Sequence, residues 1–78
     1  MAAARFVVSR FDANTDELIS EAHLEGVDVE ALAVLCGQAV GSFVESYPIG
    51  DREAAYLAAT YGMVIDLASG DYFLEVFA

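Results

Sequence analysis

The chain has 78 residues, of which 58% are apolar, 13 are acidic and three are basic, so its net charge is -10. This charge disfavours nucleic acid and anionic membranes as partners, and the high apolar content excludes a disordered chain. The length fits one α+β domain that covers residues 1–78.

The cysteine content and the hydropathy pattern indicate a cytoplasmic protein. Cys36 is the only cysteine, whereas small secreted domains usually depend on disulfides. Residues 1–5 lack the basic start and long apolar run of a signal peptide. The longest uncharged run, residues 31–44, is too short to span a bilayer.

The first thirty residues predict a β-hairpin. Residues 5–11 are rich in β-branched and aromatic side chains and predict the first strand. Residues 12–15 predict a turn, because Asp and Asn side chains bond to their own backbone. Residues 17–24 predict the second strand, in which charged residues alternate with smaller or apolar ones. One face carries Leu18, Ser20, Ala22 and Leu24, and the other carries Glu17, Ile19, Glu21, His23 and Glu25.

A first helix is predicted after Gly26. Asp28 is a candidate N-cap, and apolar residues follow it at helical spacing from Val29 onwards. Because Gly37 and Gly41 weaken a continuing helix, the helix either ends near Cys36 or continues irregularly to Phe43.

A second helix follows a connector over residues 42–49, in which Tyr47-Pro48 fixes an extended backbone. Asp51 is the candidate N-cap of this helix, and Gly62 stands where a terminating glycine is expected.

The last part of the chain predicts a second hairpin. Residues 63–67 predict the third strand, residues 68–71 a turn and residues 72–77 the fourth strand. The predicted order is therefore ββααββ. It indicates an α+β fold with a four-stranded, mostly antiparallel sheet and one or two helices on one face.

The closing strand predicts a surface for a partner. If Tyr72, Leu74 and Val76 face the helices, Phe73 and Phe77 face the other way. Two short helices cannot cover both faces of a sheet, and aromatic rings beside carboxylates are typical of a protein interface. The alternatives are that another part of the chain covers these rings and that the acidic residues only keep the protein soluble. The candidate partner-binding residues are Glu17, Glu21, Glu25, Phe73, Glu75 and Phe77.

No pattern predicts an enzyme, a cofactor or a metal site. His23 lies between Glu21 and Glu25, but residues two apart on a strand stand about 7 Å apart, too far to hold one small ion unaided. Cys36 falls on the apolar side of the first helix and has no histidine near it in the sequence. The serines and glycines match no nucleophile or phosphate-binding motif.

Three motifs resemble a family of small acidic bacterial proteins of unknown function. They are Phe11-Asp12 through Thr15-Asp16-Glu17-Leu18-Ile19 with Leu24-Glu25-Gly26-Val27, then Tyr47-Pro48-Ile49, and finally Asp71-Tyr72-Phe73-Leu74-Glu75. The family's stretch before Tyr-Pro is usually more polar than Gly41-Ser42-Phe43-Val44 of this chain. Such families are similar in size and charge to immunity proteins that neutralise bacterial toxins. The resemblance implies no catalytic residues.

Together, the residues and the resemblance predict a non-enzymatic immunity or inhibitor protein. Its partner would be a basic toxin or nuclease, attracted by the acidic side chains and anchored by the aromatic rings. The alternative is a homo-oligomer, such as a homodimer, that pairs through the apolar sheet face or an edge strand.

Overall fold

The computed structural model describes residues 4–43 and 45–77 and confirms the predicted fold class. Four strands form one antiparallel sheet in the order β2-β1-β4-β3. The strands are β1 (Arg5–Phe11), β2 (Leu18–His23), β3 (Ser46–Pro48) and β4 (Asp71–Phe77). The helices are α1 (Val29–Leu35) and α2 (Asp51–Tyr61), with a 3₁₀ turn at Val40–Ser42.

The position of the third strand differs from the prediction. Residues 63–67 form no strand, and the third strand is β3, inside the stretch predicted as a connector. The order is therefore ββαβαβ and not ββααββ. The backbone explains the change: Tyr47 pairs with Leu74, and flanking bonds from Ile49 N–H to Tyr72 O (2.9 Å) and Val76 N–H to Glu45 O (3.0 Å) extend the contact with β4.

Residues 63–67 nevertheless alternate between inside and outside. Met63, Ile65 and Leu67 pack against the core, whereas Val64 is 93% exposed. Asp66 then starts a turn, since its carboxylate accepts the N–H of Ala68 (3.1 Å). Alternation along an extended segment determines which side chains are buried. Here the extended segment is a connector that is not part of the sheet.

The predicted first hairpin is confirmed, with one irregularity. β1 pairs with β2 from Val7–His23 to Phe11–Leu18, and the register shifts at its end so that Ile19 is an extra residue on β2. Leu18 was predicted to share one face of the strand with Ser20, Ala22 and Leu24. The shift places Leu18 opposite Phe11 instead, and its side chain is 50% exposed.

Helix α1 begins and ends as its sequence predicts. The Asp28 carboxylate caps it by accepting the N–H of Ala31 at 3.2 Å. The helix ends at Leu35, and Gly37 follows in the left-handed region with φ of +70°. Of the two predicted ends, the structure therefore has the earlier one.

Helix α2 confirms the predicted terminating glycine and corrects the predicted cap. Gly62 has φ of +68° and its N–H donates to Ala58 O at 3.0 Å. At the other end the N-cap is Gly50, and Asp51 is already helical. Glu53 makes this start possible, because its carboxylate reaches back to the Gly50 N–H at 2.9 Å.

The core lies between the helices and one side of the sheet. Its most buried helix residues are Leu32 and Ala33 of α1 and Leu57 of α2. The strands and the segments beside them contribute Phe6, Val8, Phe43, Tyr47, Ile49, Leu74 and Val76. The aromatic ring of Phe43 packs between those of Phe6 and Tyr47, with centroid distances of 6.0 and 5.1 Å.

Candidate partner-binding face

The pairing register assigns each strand residue to one of two faces. Leu74 and Val76 of β4 belong to the core, so the alternate residues of β4 point to the opposite side of the sheet. The buried residues of both helices also belong to the core. Neither helix therefore packs on the opposite side, which we call the open face. The open face comprises Arg5, Val7, Ser9, Phe11, Leu18, Glu21, His23, Ser46, Pro48, Asp71, Phe73, Glu75 and Phe77.

Small residues form the floor of the open face. Val7 is 2% exposed and Ser9 is 1% exposed, although no helix covers them. Ser9 lies between Glu21 on β2 and Phe73 on β4, and Val7 has Glu75 as its β4 partner. These neighbours have longer side chains than Val7 and Ser9. They therefore shield β1 from solvent and project above it. The open face is therefore a shallow groove with acidic and aromatic walls.

The aromatic side chains occupy both ends of the groove. Phe11 and Phe73 meet edge to face, with ring centroids 5.7 Å apart and an angle of 77°. At the other end, Phe77 is 41% exposed, and the Arg5 guanidinium carbon lies 5.3 Å from its ring centroid. Both arrangements are ones that aromatic rings favour.

A cavity of about 360 Å³ lies where the open face meets the loop between β1 and β2. Two of its walls are the paired rings of Phe11 and Phe73. The remaining lining residues are polar or acidic: Asp16, Ser46, Asp71 and Glu75.

Hydrogen bonds within the loop hold Asp16 at the cavity. The Asp12 carboxylate accepts the N–H groups of Asn14 (2.8 Å) and Thr15 (3.0 Å). These bonds favour the ionised form and hold the pKa of Asp12 below its ordinary value. The Asp12 N–H donates to Glu17 O (2.8 Å), and the Asp16 N–H donates to Asp12 O (2.9 Å). Asp16 itself has φ of 60°, a left-handed conformation that Asp tolerates.

No arginine is among the residues that line the cavity. Of the three arginines, Arg10 donates to Ser69 O (3.2 Å) and Arg52 donates to Leu35 O (2.7 Å). The third, Arg5, stacks on the ring of Phe77 at the other end of the open face. In residues 4–43 and 45–77 the one ion pair joins Arg52 to Glu53, and neither residue lines the cavity.

Residues 5–75 match the family model of a domain of unknown function, DUF7683. The chain belongs to the DUF7683 family. A family of unknown function was predicted, and the match confirms that level of the resemblance. The matched part of this DUF7683 protein covers all of β1, β2 and β3 and β4 as far as Glu75, so it includes most of the open face. The chain matches no curated protein.

Four of the six predicted binding residues of this DUF7683 protein lie together on the open face. Phe73, Glu75 and Phe77 alternate along β4, and Glu21 lies across β1 from Phe73. The remaining two, Glu17 and Glu25, are exposed and lie just outside the ends of β2.

Four residues of the cavity are not among the predicted binding residues: Phe11, Asp16, Ser46 and Asp71. Asp71 was assigned to a turn and Asp16 to no element, and the approach of Asp16 to Phe73 depends on the β1–β4 register. Ser46 was missed together with β3. The available signal for Asp71 was its position two residues before Phe73, which places both on one face of a strand, whereas no spacing along the chain brings Asp16 or Ser46 to Phe73.

No three His, Cys, Asp or Glu side chains in the described ranges converge as a metal site. Burial raises the pKa of the Cys36 thiol, with a further contribution from the nearby Glu53 carboxylate, so the thiol is protonated at neutral pH. None of the helices that the structure describes is both long and apolar enough to cross a membrane.

Proposed function

We propose that this protein is a non-enzymatic binding protein of the immunity or inhibitor type. It acts in the cytoplasm and neutralises a basic toxin or nuclease by covering the partner's cationic site. The observation that carries the proposal is the open face, on which Phe73, Glu75 and Phe77 stand uncovered by either helix.

Charge supports a basic partner. The protein carries a net charge of -10. On the open face, Glu21 lies across β1 from Phe73, and Asp71 and Glu75 lie on either side of Phe73 along β4. A nuclease needs a cationic site to bind a polyanion, and an acidic groove is complementary to such a site. Electrostatic attraction of this kind raises association rates by about 10- to 1,000-fold.

The rings supply the short-range part of the interaction. Interfaces concentrate their free energy in a few central residues, often aromatic, that are surrounded by polar groups. Phe73 packs against Phe11 at one end of the groove and is partly buried, so its ring is held in place before a partner arrives. We expect its removal to weaken binding by at least about 2 kcal/mol, roughly 30-fold.

The test is to capture a partner from a native lysate on the immobilised protein and then to measure association with the purified partner. Between about 0.01 M and 1 M salt the screening length falls from about 30 to 3 Å. We expect the association rate constant to fall at least about tenfold over this range. We also expect the partner to lose its activity at one equivalent of this protein. A rate constant that is independent of salt contradicts the proposal.

Two variants with the same added charge localise the interaction. Phe73→Asp places a carboxylate in the groove, and Ala59→Asp places one on the exposed side of α2. We expect Phe73→Asp to abolish binding and Ala59→Asp to leave it unchanged, with both proteins retaining the far-UV circular dichroism of the native chain. Unfolding of Phe73→Asp would show that the ring serves the fold, and Phe77→Asp then repeats the test at a more exposed ring.

The alternative function, a homo-oligomer, is favoured by one observation on the sheet edges. β3 is three residues long and contains Pro48, which protects that edge from further pairing. β2 is six residues long, contains no proline and exposes Leu18 (50%) and Ile19 (46%). Light scattering after gel filtration separates the alternatives, because a monomer at high protein concentration excludes pairing through β2.

A further inference from the structure

We propose that the cavity between Phe11, Phe73 and the β1–β2 loop receives the guanidinium group of an arginine side chain. The inference rests on the proposed function, and it names the group of the basic partner that this part of the open face recognises. The cavity is at the lower end of the roughly 300–1,000 Å³ range of small-ligand sites, which suits one long side chain.

The lining of the cavity is complementary to a cation. Phe11 and Phe73 supply aromatic rings, whose faces attract positive charge. Asp16, Asp71 and Glu75 supply carboxylates, and no described ion pair neutralises any of these three. An apolar ligand would leave these charges uncompensated, whereas a cation contacts rings and carboxylates at the same time.

The open face already holds one guanidinium by the same chemistry. Arg5 lies 5.3 Å from the ring centroid of Phe77, and the two residues are cross-strand partners. The cavity lies at the opposite end of β1, beside Phe11, about 20 Å away at the usual rise per strand residue. One aromatic position is therefore occupied by the chain's own arginine, and the described residues at the second are rings, carboxylates and a serine.

Geometry favours guanidinium over ammonium. Guanidinium is planar, stacks on aromatic rings and donates two parallel hydrogen bonds to a carboxylate. Ammonium is a compact, strongly hydrated charge that loses more on leaving water. A cavity lined by two rings and three carboxylates can both stack on guanidinium and accept its hydrogen bonds.

The probe is Nα-acetyl-arginine methylamide, titrated into the ¹⁵N-labelled protein. We expect chemical-shift changes confined to the amides of Phe11, Asp16, Asp71 and Phe73. The citrulline analogue has the same shape without the charge, and we expect it to cause no such changes. Equal shifts from citrulline, or shifts spread over the helices, overturn the proposal. Equal affinity for the lysine analogue overturns the assignment to guanidinium.

Two variants remove charge with little change of shape. Asp16→Asn keeps a residue that tolerates positive φ, and Asp71→Asn alters an exposed side chain at the start of β4. We expect each to weaken binding of the arginine probe about three- to tenfold. Glu30→Gln removes the same charge from an exposed position on α1, and Glu30 does not line the cavity. Equal weakening by Glu30→Gln overturns the proposal, since it would show a general charge effect.

The outcomes separate this inference from the proposed function. If a basic protein binds the open face but the arginine probe does not bind the cavity, the inference fails and the proposed function stands. If the probe binds the cavity but no basic protein binds the open face, the proposed function fails and the cavity remains an arginine site.

Discussion

The two faces of β4 show how one strand meets two different demands. Leu74 and Val76 are 2% and 5% exposed and pack under the helices. Their neighbours Phe73, Glu75 and Phe77 alternate with them on the open face and remain at least partly accessible. The helix side is apolar, as stability requires. The open face combines rings with carboxylates, a mixture that folding alone does not require and that a partner surface uses.

The largest effect on stability is expected from shortening a side chain on the helix side of β4, compared with one on the open face. Leu74→Ala removes a residue that is 2% exposed, and we expect a loss of about 2–5 kcal/mol of unfolding free energy. Phe77→Ala removes a ring that is 41% exposed, and we expect a loss below about 1 kcal/mol. Urea denaturation followed by circular dichroism measures both. Equal losses would show that the open face is also a core.

A smaller effect is expected where β4 begins. A methyl group on Gly70 would lie 2.7 Å from the backbone oxygen of Phe11, so the two strands would have to separate at the cavity end. We expect Gly70→Ala to cost about 1–3 kcal/mol. Gly41 is the matched control, because a methyl group there meets no atom within 4 Å and its backbone is not left-handed. Equal melting temperatures of the two variants would contradict the close contact.

Local sequence was sufficient to predict the parts of the fold that depend on local chemistry. Asp28 and Gly62 act within one turn of their helices, so their roles follow from neighbouring residues. Alternation along 72–77 likewise predicted which side chains of β4 face the helices.

Long-range pairing determines what the sequence did not predict. Residues 46–48 become a strand because the edge of β4 is available to them; Tyr47-Pro48 predicted an extended backbone there but not its pairing. The extra residue at Ile19 turns Leu18 towards the open face through its pairing with Phe11. The cavity has the same origin, since Asp16 and Asp71 meet only when β1 and β4 pair in this register.

Acid provides a test of the loop that borders the open face. The pKa of Asp12 is lowered in the folded state by hydrogen bonds from the amides of Asn14 and Thr15. The stabilisation is therefore fully present above the unfolded pKa, about 3.9, and is lost as the pH falls through the folded value. We expect Asp12→Asn to be less stable than the native protein at pH 7, with the difference closing in stronger acid. A difference that is constant with pH would exclude the titration of Asp12 as its cause.

The smallest effect is expected for the reactivity of the Cys36 thiol, which follows α1 and packs against the core. Burial raises the pKa of this thiol, and the Glu53 carboxylate raises it further, so the reactive thiolate is scarce at neutral pH. We expect iodoacetamide to alkylate Cys36 more slowly than an exposed cysteine introduced at Ala59, with no change in fold before reaction. The two rates should become equal in denaturant, because unfolding removes the burial that separates them. Equal rates in the native protein would show that Cys36 is as accessible to the reagent as the exposed side of α2.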